Sequence, residues 1–287
     1  MKPSVKIPNY KILLTVPIIF LFLSAGFLVS QYVRTGEWFQ RSIELKGGTV
    51  ITINTEKSLD IEGIKTELKE KFQDINVRET RSFQGYGTLI ETPSEVEPDR
   101  IFAELEAMGI ETKDRSIETI GSSLGESFWS QAQLAIIAAF IFMGIIVFVI
   151  FRTFVPSIAV IMSAMSDMVI TLALMQVFGI QLSLAGLAAL LMLIGYSVDT
   201  DIMLTSRLLR ESEDKTLGDK IRRAVKTGLT MTLTSIGALT ALLLSAISPV
   251  LSQIAIVLLI GLFIDIMNTW LMNSVILRWY CERKGLI

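Results

Sequence analysis

Six stretches of this chain carry their apolar residues in runs of membrane length rather than in the short periodic bursts of a soluble domain. A hydrocarbon core of about 30 Å is crossed by about 20 mostly apolar helical residues. Ile12–Val33, Ser130–Phe151, Phe154–Phe178, Leu182–Leu204, Leu229–Ile247 and Ser252–Leu277 all meet that length. The first is too long, and too poor in a small-residue cleavage pattern, for a removable signal peptide, so it is read as a retained span. Between the first and second spans the pattern changes. Ser42–Asn54 alternates like a strand, with Gly47 and Gly48 interrupting it as a bulge or a point of close backbone packing. Asp60–Phe72 has a helical period with Asp60 as its N-cap, and Ile75–Phe83 and Tyr86–Glu91 read as strands joined through Gly85. Pro98–Met108 reads as a helix stopped by Gly109, and Thr112–Ile120 as a last strand. The order β-α-β-β-α-β is that of the ferredoxin-like split arrangement.

The expected fold is thus an all-α membrane bundle of six helices with one α+β, ferredoxin-like domain. Residues 1–33 form the N-terminus and first span, 34–127 the α+β domain, and 128–287 the other five spans. Those lie near 130–151, 154–178, 182–204, 229–247 and 252–277, with a polar segment at 205–228.

Charge placement orients the spans. With a cytoplasmic N-terminus, the inner segments hold Lys2, Lys6 and Lys11, then Arg152, then Arg207, Arg210, Lys215, Lys220, Arg222, Arg223 and Lys226, and finally Arg278, Arg283 and Lys284. The short outer loops near Gly179–Gln181 and Ser248–Leu251 hold none, as the positive-inside rule requires. Both termini are therefore expected in the cytoplasm of a multi-pass cell-membrane protein. The domain Gln31–Ser127 is extracytoplasmic and acidic, with nineteen acidic against twelve basic residues. The basic stretch Ser206–Gly228 is partly amphipathic and is expected to lie on anionic lipid.

Composition removes most soluble-enzyme chemistry. The chain has no His, and its one Cys is Cys281. Imidazole metal sites, His general bases, internal disulfides and Cys clusters are all excluded. There is no G-x-G-x-x-G or Walker loop for a nucleotide. No cofactor, metal, nucleic acid or enzymatic activity is expected.

Ionisable residues inside spans are costly, about +2.5 to +3.5 kcal/mol at a helix centre, and so mark function. Asp167 falls near the middle of the third span, Asp265 near the middle of the sixth, and Asp199 and Asp201 in the inner half of the fourth. Two residues on a helix differ by about 200°, so Asp199 and Asp201 face opposite ways. Lys226 opens the fifth span, followed by a hydroxyl stripe of Thr227, Thr230 and Thr234, and Asn268, Thr269 and Asn273 give the sixth a polar face near Asp265. These hydroxyls and amides are expected mainly to hold helices together. Gly186, Ala188, Ala189 and Gly195 read as close-packing residues, and Gly121–Gly125 (GSSLG) as a hinge between the outer domain and the second span.

Four motifs carry a family resemblance. Gly195-Tyr196-Ser197-Val198-Asp199-Thr200-Asp201 resembles the G-Y-S-V-N-D-T signature of the SecF family, and Ser166-Asp167-Met168-Val169-Ile170-Thr171 its H-D-V-I-I-T. Lys226-Thr227-Gly228-Leu229-Thr230 with Leu233-Thr234 resembles R-T-x-x-T-x-x-T-T, and Lys46-Gly47-Gly48-Thr49 its G-G-T. The chain departs from the bacterial pattern at Asp199-Thr200, at Lys226 and in the sixth span, and in these it looks like the archaeal branch.

The resemblance implies a subunit of the resistance-nodulation-division superfamily. It would work with SecD and the Sec protein-conducting channel on unfolded exported polypeptides, surrounded by membrane lipids, and would use the proton gradient. Asp167, Asp199, Asp201, Lys226 and Asp265 are the proton-coupling candidates. Two other readings stay open: a small-molecule or lipid exporter of the same superfamily, and a scaffold that stabilises SecD without transducing energy.

Overall fold

The computed structural model describes residues 10–55, 58–72, 75–82, 85–93, 95–209 and 217–284. After a 3-10 turn at Tyr10–Leu14 come α1 (Thr15–Thr35), the single turn α2 (Ile43–Lys46), β1 (Gly48–Thr55), α3 (Ile61–Lys71), β2 (Asn76–Ser82), β3 (Gly85–Thr92), α4 (Pro98–Ala107) and β4 (Arg115–Ile120). Then follow α5 (Ser122–Phe151), α6 (Phe154–Val177), α7 (Leu184–Leu209), α8 (Leu217–Ser245), α9 (Pro249–Met267), a π-helical turn (Asn268–Asn273) and α10 (Ser274–Lys284). Among the described residues, six helical segments are long and apolar enough to cross a membrane, α9 to α10 counting as one.

Local chemistry sets many of the ends. Gly36, at φ 75°, closes α1 with its N–H on the Tyr32 carbonyl, the left-handed C-cap that glycine adopts without strain. Pro98 and Pro249 stand in the first turns of α4 and α9, where a missing N–H costs nothing. Asp60 caps α3 by accepting from the Gly63 N–H at 3.1 Å. Asp60→Ala is expected to cost about 1 kcal/mol, seen as faster hydrogen exchange across α3 in the intact chain.

The sheet runs β2-β3-β1-β4, every neighbouring pair antiparallel. Ile51, Ile53 and Ile90 point from it into a core completed by Ile64 and Leu68 of α3 and Ile101 and Leu105 of α4. Glu91 is buried on β3, where Arg78 forms an ion pair with it and the Asn76 amide donates to it at 3.2 Å. The Lys71 ammonium bridges α3 to Glu104 of α4 at 2.5 Å, and this hydrogen bond raises the lysine above its ordinary value. Its small stabilisation is therefore present below the usual lysine range and fades as pH rises through the raised value.

In the bundle, α6 and α7 are more than half buried, while α1, α5 and α8 bury few residues. Val160, Ala164, Leu190, Leu193, Val257, Leu258 and Leu262 form the shared apolar centre of α6, α7 and α9. Gly261 lets α9 press against the Leu193 side chain, and Gly228 lets α8 close on the Trp270 ring.

The α/β domain is stitched to one end of this bundle. The Ser42 N–H donates to the Leu182 carbonyl at 2.8 Å, and the Leu182 N–H returns a bond to Gln40 at 2.9 Å. Glu44 accepts from the Leu184 N–H at 2.7 Å, capping α7 from outside its own sequence neighbourhood. Phe39 packs edge-on against Trp129 of α5, and the Arg41 guanidinium lies 5.3 Å from the same ring.

Three expectations change here. The strand foreseen from Ser42 begins only at Gly48, because Ile43–Lys46 is wound into a helical turn that Gly47 (φ 83°) and Gly48 (φ 143°) end. The polar segment is not a separate surface helix in its described part: Leu217 onward forms the first turns of α8, and residues 210–216 lie outside the described residues. The hinge expected at Gly121–Gly125 is mostly packed. Ser122 starts α5, and a Cβ on Gly47 would sit 2.5 Å from the Ser122 Cα. A Cβ on Gly125 would strike the backbone nitrogen of Gly47. The two glycines form a seam where backbone meets backbone.

Candidate functional site

The three central helices bring three carboxyls together. Asp167 on α6, Asp201 on α7 and Asp265 on α9 are each at most 1% exposed. Among the described residues no Lys or Arg forms an ion pair with any of them. α6 and α7 position Asp167: the Ser197 hydroxyl donates to it at 2.6 Å.

The rest of the hydrogen bonding comes from the last span. The Asn268 amide donates to Asp167 at 2.7 Å and to the Ser166 hydroxyl at 3.0 Å. The Asn273 amide donates to Asp201 at 2.7 Å. The Thr269 hydroxyl lies 2.9 Å from Asp201 and 3.1 Å from Asp265. Further acceptors, among them Oδ2 of Asp201 and Asp265 and Oδ1 of Asn268 and Asn273, have no donor in hydrogen-bond geometry among the described residues. Of these, the buried carboxylate oxygens can take up protons, whereas the amide oxygens can only accept hydrogen bonds.

A π turn explains how one helix serves all three acids. On a regular α-helix Asn268 and Asn273 would point about 140° apart. Between Asn268 and Asn273 the backbone follows the wider i→i+5 pattern, which returns residues five apart to one face.

The remaining candidates are elsewhere. Asp199 is exposed on α7, on the side opposite Asp201, and Lys226 is exposed on α8. Gly47 belongs to the seam under the α/β domain, and Gly48 packs within that domain against the Thr92 carbonyl oxygen and the Ile43 side chain. Gly195 and Tyr196 are exposed on α7, whereas Ser197, beside them in the motif, is buried against Asp167. Thr227, Thr230 and Thr234 bond to carbonyls of their own helix four residues back, so they do not join helices. Gly186 and Ala189 are packed as expected, but Ala188 and Gly195 lie on the exposed face of α7. The π turn itself had no signature in the residue pattern. Its Asn and Thr residues were visible, but as packing groups rather than as donors to the acids.

The fold and the site define a membrane protein with six candidate spans among its described residues, an α/β domain after the first of them and three acids buried at the meeting of α6, α7 and α9. A family described as protein export membrane protein SecD/SecF, C-terminal, matches residues 101–283. The protein-export membrane protein SecF of Pyrococcus furiosus is 39% identical over 269 residues, covering 93% of this chain and 90% of that protein. SecF of Methanolacinia petrolearia is 38% identical over 278 residues, covering 96% and 95%. The chain belongs to the SecF family of protein-export membrane proteins, and these relatives fit the archaeal character of its motifs. The crystal structure of SecDF from Thermus thermophilus, a translocon-associated membrane protein, shares the fold with a TM-score of 0.75 at 21% identity. The likeness covers 96% of this chain and 38% of that longer chain.

Proposed function

We propose that this chain is the SecF-type subunit of a two-part device that assists protein export across the cytoplasmic membrane, with SecD and the Sec channel as partners and the proton gradient as energy source. The observation that carries the reading is the buried carboxyl cluster, without a basic partner among the described residues, built by three helices and supplied with donors by a fourth segment. Protonation of such a cluster removes charge from the bundle centre and changes which hydrogen bonds hold α6, α7 and α9 together.

A partner face also supports the reading. Leu184, Ala188, Met192, Gly195, Tyr196 and Asp199 line one exposed side of α7. Small residues there permit close helix approach, and a charge within a span is costly to leave against lipid. A second subunit such as SecD covers this face in the proposed assembly. The basic residues at the bundle end away from the α/β domain support cytoplasmic termini and an extracytoplasmic domain. The strand order supports a ferredoxin-like identity for that domain.

Export kinetics of a secreted reporter in the native host test the proposal, with and without a protonophore. Asp167→Asn, Asp201→Asn and Asp265→Asn are each expected to cut gradient-driven export roughly tenfold or more, with the chain still inserted and recovered with SecD. Normal gradient-driven export in all three variants would sink the proton reading. Failure to recover SecD with the unchanged chain would sink the assembly.

A further inference from the structure

We propose that the Thr269 hydroxyl is a proton relay between Asp265 and Asp201, held in line by the π turn. The inference rests on the proton-driven reading above and assigns a route within it.

The geometry is a matter of counting hydrogens. Thr269 has one hydroxyl hydrogen but two carboxyl oxygens in reach, Asp201 Oδ1 at 2.9 Å and Asp265 Oδ1 at 3.1 Å. One hydrogen serves one of these bonds; a proton on either acid supplies the second. The result is a continuous chain, Asp265 O–H to Thr269 Oγ1 and Thr269 O–H to Asp201 Oδ1. All three side chains are fully buried, so bulk water does not offer a parallel path at this point. Transfer along the chain balances. Asp265 gives its carboxyl proton to Thr269 Oγ1 as the Thr269 hydroxyl proton passes to Asp201. Asp265 ends ionised, Asp201 ends protonated and threonine is unchanged after its hydroxyl rotates back.

Neighbouring groups fit this role. Asp167, the third titratable group of the cluster, has its own donors in Ser197 and Asn268 and makes no hydrogen bond to Thr269. Among the charged groups on α8, Lys226 is exposed, and the described part of α10 gives no charge partner to Asp201 or Asp265. Asn273 fixes Asp201 Oδ1 from the other end of the turn at 2.7 Å, so the accepting oxygen stays in place while the hydroxyl turns. Five-residue spacing within the π turn puts Asn268 and Asn273 on the acid-facing side together, with Thr269 between the two carboxyls.

The test compares Thr269→Val, which keeps the shape and loses the hydroxyl, with Thr269→Ser, which keeps the hydroxyl, in the full chain expressed with its SecD-type partner. Thr269→Val is expected to lower gradient-driven export roughly tenfold. The loss is read as the ratio of gradient-driven export to the export that survives a protonophore, at matched membrane level and recovery with SecD. Thr269→Ser is expected to restore most of the gradient-driven rate. Infrared difference spectra of the membranes, taken as pH is stepped, should show the protonated-carboxyl band moving to higher frequency in Thr269→Val and returning in Thr269→Ser. If Thr269→Val does not accumulate, Thr269→Ala with the same readouts decides. Unchanged gradient-driven export in the valine or alanine variant, or equal loss in valine and serine variants, overturns the relay. The relay alone falls if Asp201→Asn and Asp265→Asn still abolish gradient-driven export; if they too are silent, the proton reading falls with it.

Discussion

Gly125→Ala will cost this protein about 3 kcal/mol or more, a large share of a marginal stability, through one methyl group. The new Cβ would meet the Gly47 nitrogen and stand 2.8 Å from the Lys46 carbonyl carbon. Both neighbours are backbone, so no side-chain rotation relieves the contact, and α2 must lift from α5. That movement pulls on the bonds from Ser42 and Glu44 to Leu182 and Leu184, which tie the α/β domain to the bundle. Gly121→Ala is the control: nothing lies within 4 Å of its new methyl and its φ is −62°. It should be neutral to within about 0.5 kcal/mol. Gly261→Ala should fall between them, because its clash is with the Leu193 side chain, which can shift. Thermal unfolding of the full chain in detergent, with hydrogen exchange read over α2 and β1, ranks the three. Equal melting of the Gly125 and Gly121 variants would remove the seam as a structural tie.

Asn273→Leu is the second large effect, about 2–4 kcal/mol of destabilisation. Asp201 Oδ1 accepts from Asn273 and from Thr269, and both bonds are fully buried. Losing the amide strips a donor from a carboxyl that water does not reach. Replacing both partners, Asp201→Leu with Asn273→Leu, should recover most of the loss, since matched apolar groups need no hydrogen bond. The double-mutant cycle should therefore give a coupling of about 1–3 kcal/mol, read from chemical unfolding in detergent. Export should remain lost in the double variant. Additive effects of the two changes would mean that Asn273 does not hold Asp201.

How far the sequence spoke depended on the kind of information each feature needed. The Asp60 cap and the proline start of α4 are local, and the residues alone are enough to place them; α9 begins at Pro249 and α1 ends at Gly36, a few residues from the bounds that hydrophobic length suggested. The opposite placement of Asp199 and Asp201 also follows from helical spacing, but which one faces inward does not. Ala188 and Gly195 are small residues like Gly186 and Ala189, yet only the latter pair is packed within the chain. The threonine stripe on α8 looked like glue between helices because hydroxyls at helical spacing share a face. Each hydroxyl bonds instead to the carbonyl one turn back, an outcome that spacing cannot separate from the first.

By itself, then, the sequence determined six apolar stretches of membrane length, the α/β domain between the first two, and which acids fall inside those stretches, where burial is costly. Tertiary structure decided which acids meet, which face of α7 turns inward, that Asn268, Thr269 and Asn273 serve those acids through a π turn, and that Gly47 and Gly125 meet backbone to backbone. The reason lies in the solvent. In water, an apolar stripe marks the inward face of a helix, but in a bilayer the outward face is apolar as well. Periodicity then gives length without direction, and only the contacts between helices supply the direction.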